Sequence, residues 1–253
     1  MLKIAVTGPT GRMGAEIIAA INMDPTTILT VALVRNGHAF IGKKINDEFK
    51  LNNNRENLNF TDSLLVSNAA DVLIDFSLPA ATKMYIEQCL QLSMPMVIAT
   101  TGFNDAEKEN IKKAAANIPI VFAPNMSLGV NLCYDLLASC AKVTGTDWQV
   151  AISEIHHKQK KDAPSGTALK MGEVITNHSG IEKSAIQFNS IRAGDAVGEH
   201  TVLFVGDGER IEIIHRASSR LAFAKGALMA AKWLQGKKPG LYSMQDVIQN
   251  KIA

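Results

Sequence analysis

The sequence is short of cysteine, of net charge and of long apolar runs. Its three cysteines, Cys89, Cys133 and Cys140, lie in apolar stretches without Cys-x-x-Cys spacing. That excludes a disulfide-built domain and a cysteine metal cluster, and no metal is expected. The formal net charge is only +2, which excludes a nucleic-acid binder that works through bulk charge. No apolar run is long enough to span a bilayer, so no membrane association is expected. The first residues, Met1–Val6, lead directly into a glycine-bearing turn, without the apolar stretch and small-residue site of a secretory signal. With an odd cysteine count, this points to reduced, buried thiols and a cytoplasmic chain.

What is present is an ordinary globular composition, 47% hydrophobic and 20% charged over 253 residues. Short apolar runs alternate with helical periodicity in the first half. Strands are predicted at 3–7, 28–34, 72–76, 95–99 and 119–123, with helices at 13–22, 79–92 and 105–116. The strands are apolar on both faces, as in a parallel sheet covered by helices, so a doubly wound α/β domain is expected. The rhythm then changes. A helix at 130–141, a strand at 148–153 and a helix at 165–177 with Ser165 as N-cap are followed by strands at 186–192, 201–205 and 211–215. These predict an α+β unit with an antiparallel or mixed sheet. An alanine-rich helix at 221–234 and a short one near 243–248 end the chain.

The first strand runs into Gly8-Pro9-Thr10-Gly11-Arg12-Met13-Gly14 and then a helix. Glycines there let the backbone approach a pyrophosphate, and the helix N-terminus offers N–H groups and a positive dipole end. The spacing is GxxGxxG rather than the commoner GxGxxG. The second strand ends Leu33-Val34-Arg35-Asn36, without the carboxylate that reads the ribose hydroxyls of NAD. Arg35 can instead fork onto a 2′-phosphate. NADPH is therefore the expected cofactor, with NADH as the alternative. Other strand ends carry Asp75-Phe76-Ser77, Thr100-Thr101-Gly102 and Ala123-Pro124-Asn125-Met126, candidates for the nicotinamide ribose and ring.

The densest chemistry lies in Glu154-Ile155-His156-His157-Lys158-Gln159-Lys160-Lys161-Asp162-Ala163-Pro164-Ser165-Gly166-Thr167-Ala168. Histidines can bind an acid and move a proton near neutral pH. A helix that opens on Ser-Gly-Thr suits a carboxylate. Any of Lys158, Lys160 and Lys161 could add charge or serve as an acid. Adjacent histidines on an extended chain point opposite ways, which disfavours a shared metal.

This stretch matches E-x-H-H-x-x-K-x-D-A-P-S-G-T-A at every fixed position, and on it the sequence resembles the 4-hydroxy-tetrahydrodipicolinate (dihydrodipicolinate) reductase family. The resemblance extends through the segments at 8–14, 75–77, 100–103, 123–126, 192–195, 197–201 and 215–220. It implies reduction of 4-hydroxy-tetrahydrodipicolinate, a small cyclic dicarboxylate, with loss of water, in diaminopimelate and lysine biosynthesis. By that likeness His156 is the proton donor or acceptor and Lys160 the acid. His157, Ser165, Gly166 and Thr167 hold the substrate. The cofactor contacts fall at Gly8, Pro9, Thr10, Gly11, Arg12, Met13, Arg35, Phe76, Ala99, Thr100, Thr101, Ala123, Pro124, Asn125 and Met126. The likeness also implies a Rossmann domain at 1–126, a substrate and oligomerisation domain at 127–220, helices at 221–253 returning to the first domain, and a homotetramer; the strand-rich region 186–215 is the expected interface. Two departures stand out: Ala99 replaces a glycine common before Thr-Thr-Gly, and Val34 replaces the carboxylate of NADH-tolerant relatives. Rival readings are a homoserine- or aspartate-type dehydrogenase, which lacks the histidine pair and the Ser-Gly-Thr helix start, and an NADPH-sensing module without catalysis, which need not keep both proton carriers.

Overall fold

The computed structural model describes residues 1–51, 58–65 and 70–249. The chain divides into two compact units, Met1–Met126 with Phe223–Ala253, and Ser127–Ala222. Residues 250–253 of the predicted C-terminal segment lie outside the described residues. In chain order the elements are β1 (Leu2–Thr7), α1 (Arg12–Met23), β2 (Thr27–Leu33), β3 (Phe60–Thr61), β4 (Val72–Asp75), α2 (Pro79–Leu92), β5 (Met96–Ile98), α3 (Asp105–Ala115), β6 (Pro119–Phe122), α4 (Leu128–Thr144), β7 (Gln149–His156), α5 (Gly166–Ser179), β8 (Gln187–Arg192), β9 (Gly198–Gly206), β10 (Glu209–Ala217), α6 (Leu221–Trp233), β11 (Gly240–Tyr242) and α7 (Met244–Gln249).

In the first unit seven strands form one sheet in the order β11-β6-β5-β4-β1-β2-β3, and every pairing is parallel. Strand order reverses between β1 and β4, and the crevice at such a switch point is where open α/β sheets bind ligands. Ile4, Val6, Leu73, Val97 and Ile120 are fully buried, as strands covered on both faces require. Each such side chain contributes about 1.5–3 kcal/mol by leaving water. Helix α2 starts with Pro79 in its first turn, where the missing N–H costs nothing. Helix α3 opens with a reciprocal capping box between Asn104 and Glu107.

The second unit carries a four-stranded sheet in the order β10-β9-β7-β8. β7 is antiparallel to β9 and parallel to β8, so the sheet is mixed. Along β7 burial alternates, and Val150, Ile152, Glu154 and His156 share the inward face. Val150 and Ile152 pack with Val130 and Leu137 of α4 and Met171 and Ile175 of α5. The opposite face is more open and shows Ile191, Val205 and Ile214, each more than two-fifths exposed.

The doubly wound sheet and separate mixed sheet match the predicted fold class. Strand lengths differ from expectation. β7 runs to His156 rather than 153 because its ladder continues to Ile155 opposite Glu199 and to His156 opposite Arg192. β9 and β10 are longer than expected for the same reason: their ladder runs unbroken from Glu209–Gly206 to Ala217–Gly198. β3 and β11, of two and three residues, are too short to leave a periodicity signal.

Candidate active site

The first unit presents the glycine turn at the end of β1. Gly8 has φ +56, a left-handed conformation that favours glycine, and its N–H donates to the Leu33 carbonyl at 2.9 Å. A Cβ on Gly14 would fall 2.1 Å from the Gly8 carbonyl oxygen, so only glycine lets α1 start this close to the turn. The N-cap Gly11 contributes no side-chain cap, and the first turn of α1 holds no acidic residue. The first intrahelical bond is Ala15 N–H to Gly11 O, so the amides before it face outward from the helix end. Such a cradle fits the pyrophosphate of a dinucleotide.

Around this turn the predicted cofactor residues divide by exposure. Thr10, Gly11, Arg12, Arg35, Thr101 and Pro124 are exposed, and Met13, Phe76 and Asn125 are half-buried. Pro9, Ala99, Thr100, Ala123 and Met126 are buried, so their side chains pack within the unit. Arg35 lies just beyond β2, and among the described residues no carboxylate pairs with it. The loops that follow β4 and β5 are tied together through Asp75. Its carboxylate accepts from Thr7, Ser77, Thr82 and Thr100.

In the second unit the inward row of β7 ends in a polar network. Glu154 is 1% exposed, and its two oxygens accept a bidentate pair from Arg192: Nη2 at 2.7 Å and Nη1 at 2.8 Å. Glu154 also accepts the Ser165 N–H at 3.2 Å and meets His156 Nδ1 in a short hydrogen bond. Burial alone would raise the Glu154 carboxyl, but hydrogen bonds from Arg192, Ser190 and His156 outweigh it and bring it to about 2. The ionised Glu154 accepts only, so the proton on His156 sits on Nδ1 and Nε2 is left for exchange. Burial lowers the His156 pKa, with the hydrogen bond and charge of Glu154 pulling the other way. A Cβ on Gly198 would lie 3.0 Å from Nε2, so the glycine keeps that nitrogen accessible.

Arg192 reaches further, donating to the Asp162 carbonyl, and the Asp162 carboxylate holds Lys160 Nζ at 2.9 Å. Lys160 is thereby placed in the same network, whereas Lys158 and Lys161 are exposed and lack a carboxylate partner among the described residues. Asp162 is itself lowered: Lys160 and the amides of Asp162 and Gly166 outweigh burial. His157 is half-buried. Its N–H donates to Ala196 O, and its Nδ1 has no protein partner among the described residues.

Ser165 caps α5 by accepting the Ala168 N–H, and its hydroxyl also meets His200 Nε2 at 3.1 Å. The residue is 1% exposed, so both of its polar groups serve the interior, while Gly166 is exposed and Thr167 half-buried at the helix start. His200 is buried and held down to about 3, by burial first and His156 second. The predicted substrate residues thus gather on one strand end, one loop and one helix start.

Sequence reasoning left several members of these networks without a role, Glu154, Arg192, Asp162, His200 and Gly198, and placed Asp75 only within a candidate nicotinamide segment. The two-residue spacing of Glu154 and His156 on a strand carries a usable signal, because it sets both on one face. The partners from β8 and β9, Arg192 to His200, lie 38 to 46 residues downstream of Glu154 and have no local signature.

Two family models, dihydrodipicolinate reductase N-terminus and C-terminus, match residues 2–126 and 129–248. A 4-hydroxy-tetrahydrodipicolinate reductase from Hahella chejuensis is 44% identical over 266 residues, covering 98% of this chain and 99% of the relative. One from Geotalea uraniireducens is 44% identical over the same coverage. A dipicolinate-bound dihydrodipicolinate reductase from Paenisporosarcina sp. TG-14 superposes with TM-score 0.76 at 26% identity, covering 97% of this chain and 99% of that one. The glycine cradle, the Glu154 network and these full-length similarities agree, and the chain belongs to the dihydrodipicolinate reductase family.

Proposed function

We propose that this chain reduces 4-hydroxy-tetrahydrodipicolinate to tetrahydrodipicolinate with loss of water, using NADPH in preference to NADH, in diaminopimelate and lysine biosynthesis. The observation that carries the reading is the His156–Glu154 pair set beside the start of α5, a proton carrier next to an anion site. The bound nicotinamide supplies the hydride. His156 exchanges the proton at Nε2, and Glu154 holds its tautomer. Lys160, positioned by Asp162, supplies positive charge and acts as the acid. His157 and the first turn of α5, Gly166 and Thr167, bind carboxylate, and Ser165 supports them as the cap that fixes the helix start. Binding of dipicolinate by the Paenisporosarcina relative supports a small dicarboxylate ligand.

On the cofactor side, the amides at the start of α1 hold the pyrophosphate. Arg12, Met13, Phe76, Thr100, Thr101, Pro124 and Asn125 line the rest of the cofactor path, with Ala99, Ala123 and Met126 as its packed base. Exposed Arg35 takes the 2′-phosphate, and the absence of a carboxylate from Leu33 to Asn36 supports NADPH. The open face of the second sheet, with Ile191, Val205 and Ile214, suits self-association into a tetramer.

The test is oxidation of NADPH, then NADH, with substrate generated in place from pyruvate and aspartate semialdehyde by the preceding synthase. Oxidation that depends on the synthase and is faster with NADPH is expected. Equal or better use of NADH overturns the preference, and no oxidation by a folded, NADPH-binding sample overturns the reaction. Light scattering of the purified chain checks the tetramer.

A further inference from the structure

Asp75 ends β4 with no exposed surface, and among the described residues both of its oxygens are engaged by hydroxyls alone. Thr7 Oγ1 and Ser77 Oγ donate to Oδ1 at 2.6 Å each, Thr82 Oγ1 to Oδ2 at 2.5 Å, and Thr100 Oγ1 to Oδ2 at 3.0 Å. The direction of two of these bonds is fixed by what else the hydroxyls do. Thr7 Oγ1 accepts the Phe76 N–H at 3.1 Å and Thr100 Oγ1 accepts the Ser77 N–H at 2.9 Å, so their hydrogens turn to the carboxylate. Each carboxylate oxygen thus has one donor of fixed direction, and Ser77 and Thr82, which also reach the Leu78 carbonyl, stand close enough to add a second, an arrangement that suits the carboxylate as an acceptor.

No lysine, arginine or histidine pairs with Asp75 among the described residues. Hydroxyl dipoles solvate the charge without cancelling it. Its field reaches other groups in the unit: after burial, the Asp75 charge is the next cause holding the Tyr85 hydroxyl up to about 12. A net negative charge therefore stands at the ends of β1, β4 and β5, directly behind the loops that carry Phe76 and Thr100.

We propose that Asp75 is a positioning residue whose uncompensated charge favours the oxidised, cationic nicotinamide over the neutral reduced form. The inference rests on the reading that the Phe76 and Thr100 loops receive the nicotinamide. Loss of hydride, with its electron pair, turns a neutral dihydropyridine ring into a pyridinium cation. A fixed carboxylate in a site shielded from water stabilises that developing charge without having to reorganise. The same carboxylate sets the loops themselves, because two of its hydroxyl donors each hold one of the backbone amides of Phe76 and Ser77.

The experiment is binding, not turnover. Dissociation constants for NADPH and NADP⁺ are measured by cofactor fluorescence and calorimetry on the full chain, on Asp75→Asn, on Thr82→Val and on Phe76→Ala. Asp75→Asn is expected to weaken NADP⁺ about tenfold more than NADPH, the order expected of a charge several ångströms away in a partly screened site. Thr82→Val removes one hydroxyl from the carboxylate and leaves its charge less shielded, so the ratio moves a few-fold the other way, toward NADP⁺. Equal loss of both forms in Asp75→Asn makes the residue merely structural and overturns the proposal. If Asp75→Asn does not fold, an unchanged ratio in Thr82→Val overturns it instead. Phe76→Ala tests the underlying reading separately: it should weaken both forms alike, and unchanged affinity there removes the nicotinamide from this loop whatever Asp75 does.

Discussion

Each unit is organised around one buried carboxylate, and the two are solvated in opposite ways. Glu154 is met by a guanidinium, an imidazole and a backbone amide, so its charge is balanced where it sits. Among the described residues Asp75 is met only by hydroxyls, so its charge is stabilised but remains. A balanced carboxylate acts through geometry, by fixing the tautomer and direction of its partners. An unbalanced one also acts at a distance. The difference fits the chemistry proposed for each unit: the second has to aim a proton and the first has to favour a cation.

The comparison can be broken most forcefully at His156, the one partner of Glu154 proposed to move a proton. His156→Ala should lower turnover by about 100-fold or more, the scale of general acid–base catalysis, while NADPH affinity stays unchanged in a fluorescence titration. Unaltered turnover would remove His156 from the reaction. Next come the isosteric exchanges of the two carboxylates. Glu154→Gln leaves the partly buried Arg192 cation without its counter-charge and should cost about 3 kcal/mol or more in denaturant unfolding. Asp75→Asn leaves neutral hydroxyls around the amide, of which Thr82 can turn to the Leu78 carbonyl while Thr7 and Thr100 stay fixed, and should cost less, about 2 kcal/mol. Equal losses would erase the distinction between balanced and unbalanced charge.

Acid should act on the second network through proton linkage. Glu154 and His200 are both lowered in the folded state, to about 2 and about 3, so the unfolded chain binds more protons as pH falls below the ordinary histidine range. Their stabilisation is therefore present above the unfolded pKa values. His200 loses its share from about pH 6.5 down to about 3, and Glu154 from about pH 4.5 down to about 2. The slope is up to about 1.4 kcal/mol per pH unit for each group. Thermal unfolding followed from pH 7 to pH 4 should show Tm falling, and His200→Gln should flatten that fall; a Tm independent of pH over this range contradicts the assignment. The smallest effect is expected at Thr100→Val, which removes one hydroxyl from Asp75 and should cost about 1 kcal/mol with no change in the pH profile of turnover.

Much of the fold was legible because parallel strands buried on both faces announce themselves as apolar runs, as at Val72–Asp75 and Pro119–Phe122. Helix starts were equally readable where chemistry marks them, as with Ser165 before α5 and Pro79 in α2. The end of β7 was not. Its last three residues, Glu154, Ile155 and His156, read as the beginning of a polar loop. They stay in the sheet because Arg192, one strand away, supplies the charge that makes a buried glutamate tolerable. The family likeness picked out Lys160 from its neighbours, and the structure adds what distinguishes it: only this lysine of the three pairs with Asp162 among the described residues. The hydroxyls around Asp75 come from three strand ends and a helix, and no short window of sequence contains them.

The first unit is assembled from both ends of the chain, with Ser127–Ala222 inserted between them. During synthesis this sets an order of completion. The second unit can leave the ribosome whole while the first still lacks α7 and β11, the strand that covers the edge of β6. Until residues 240–242 arrive, β6 presents an unpaired parallel edge of the kind that invites misassociation. The inserted unit is thus made before its host sheet can close over the edge of β6.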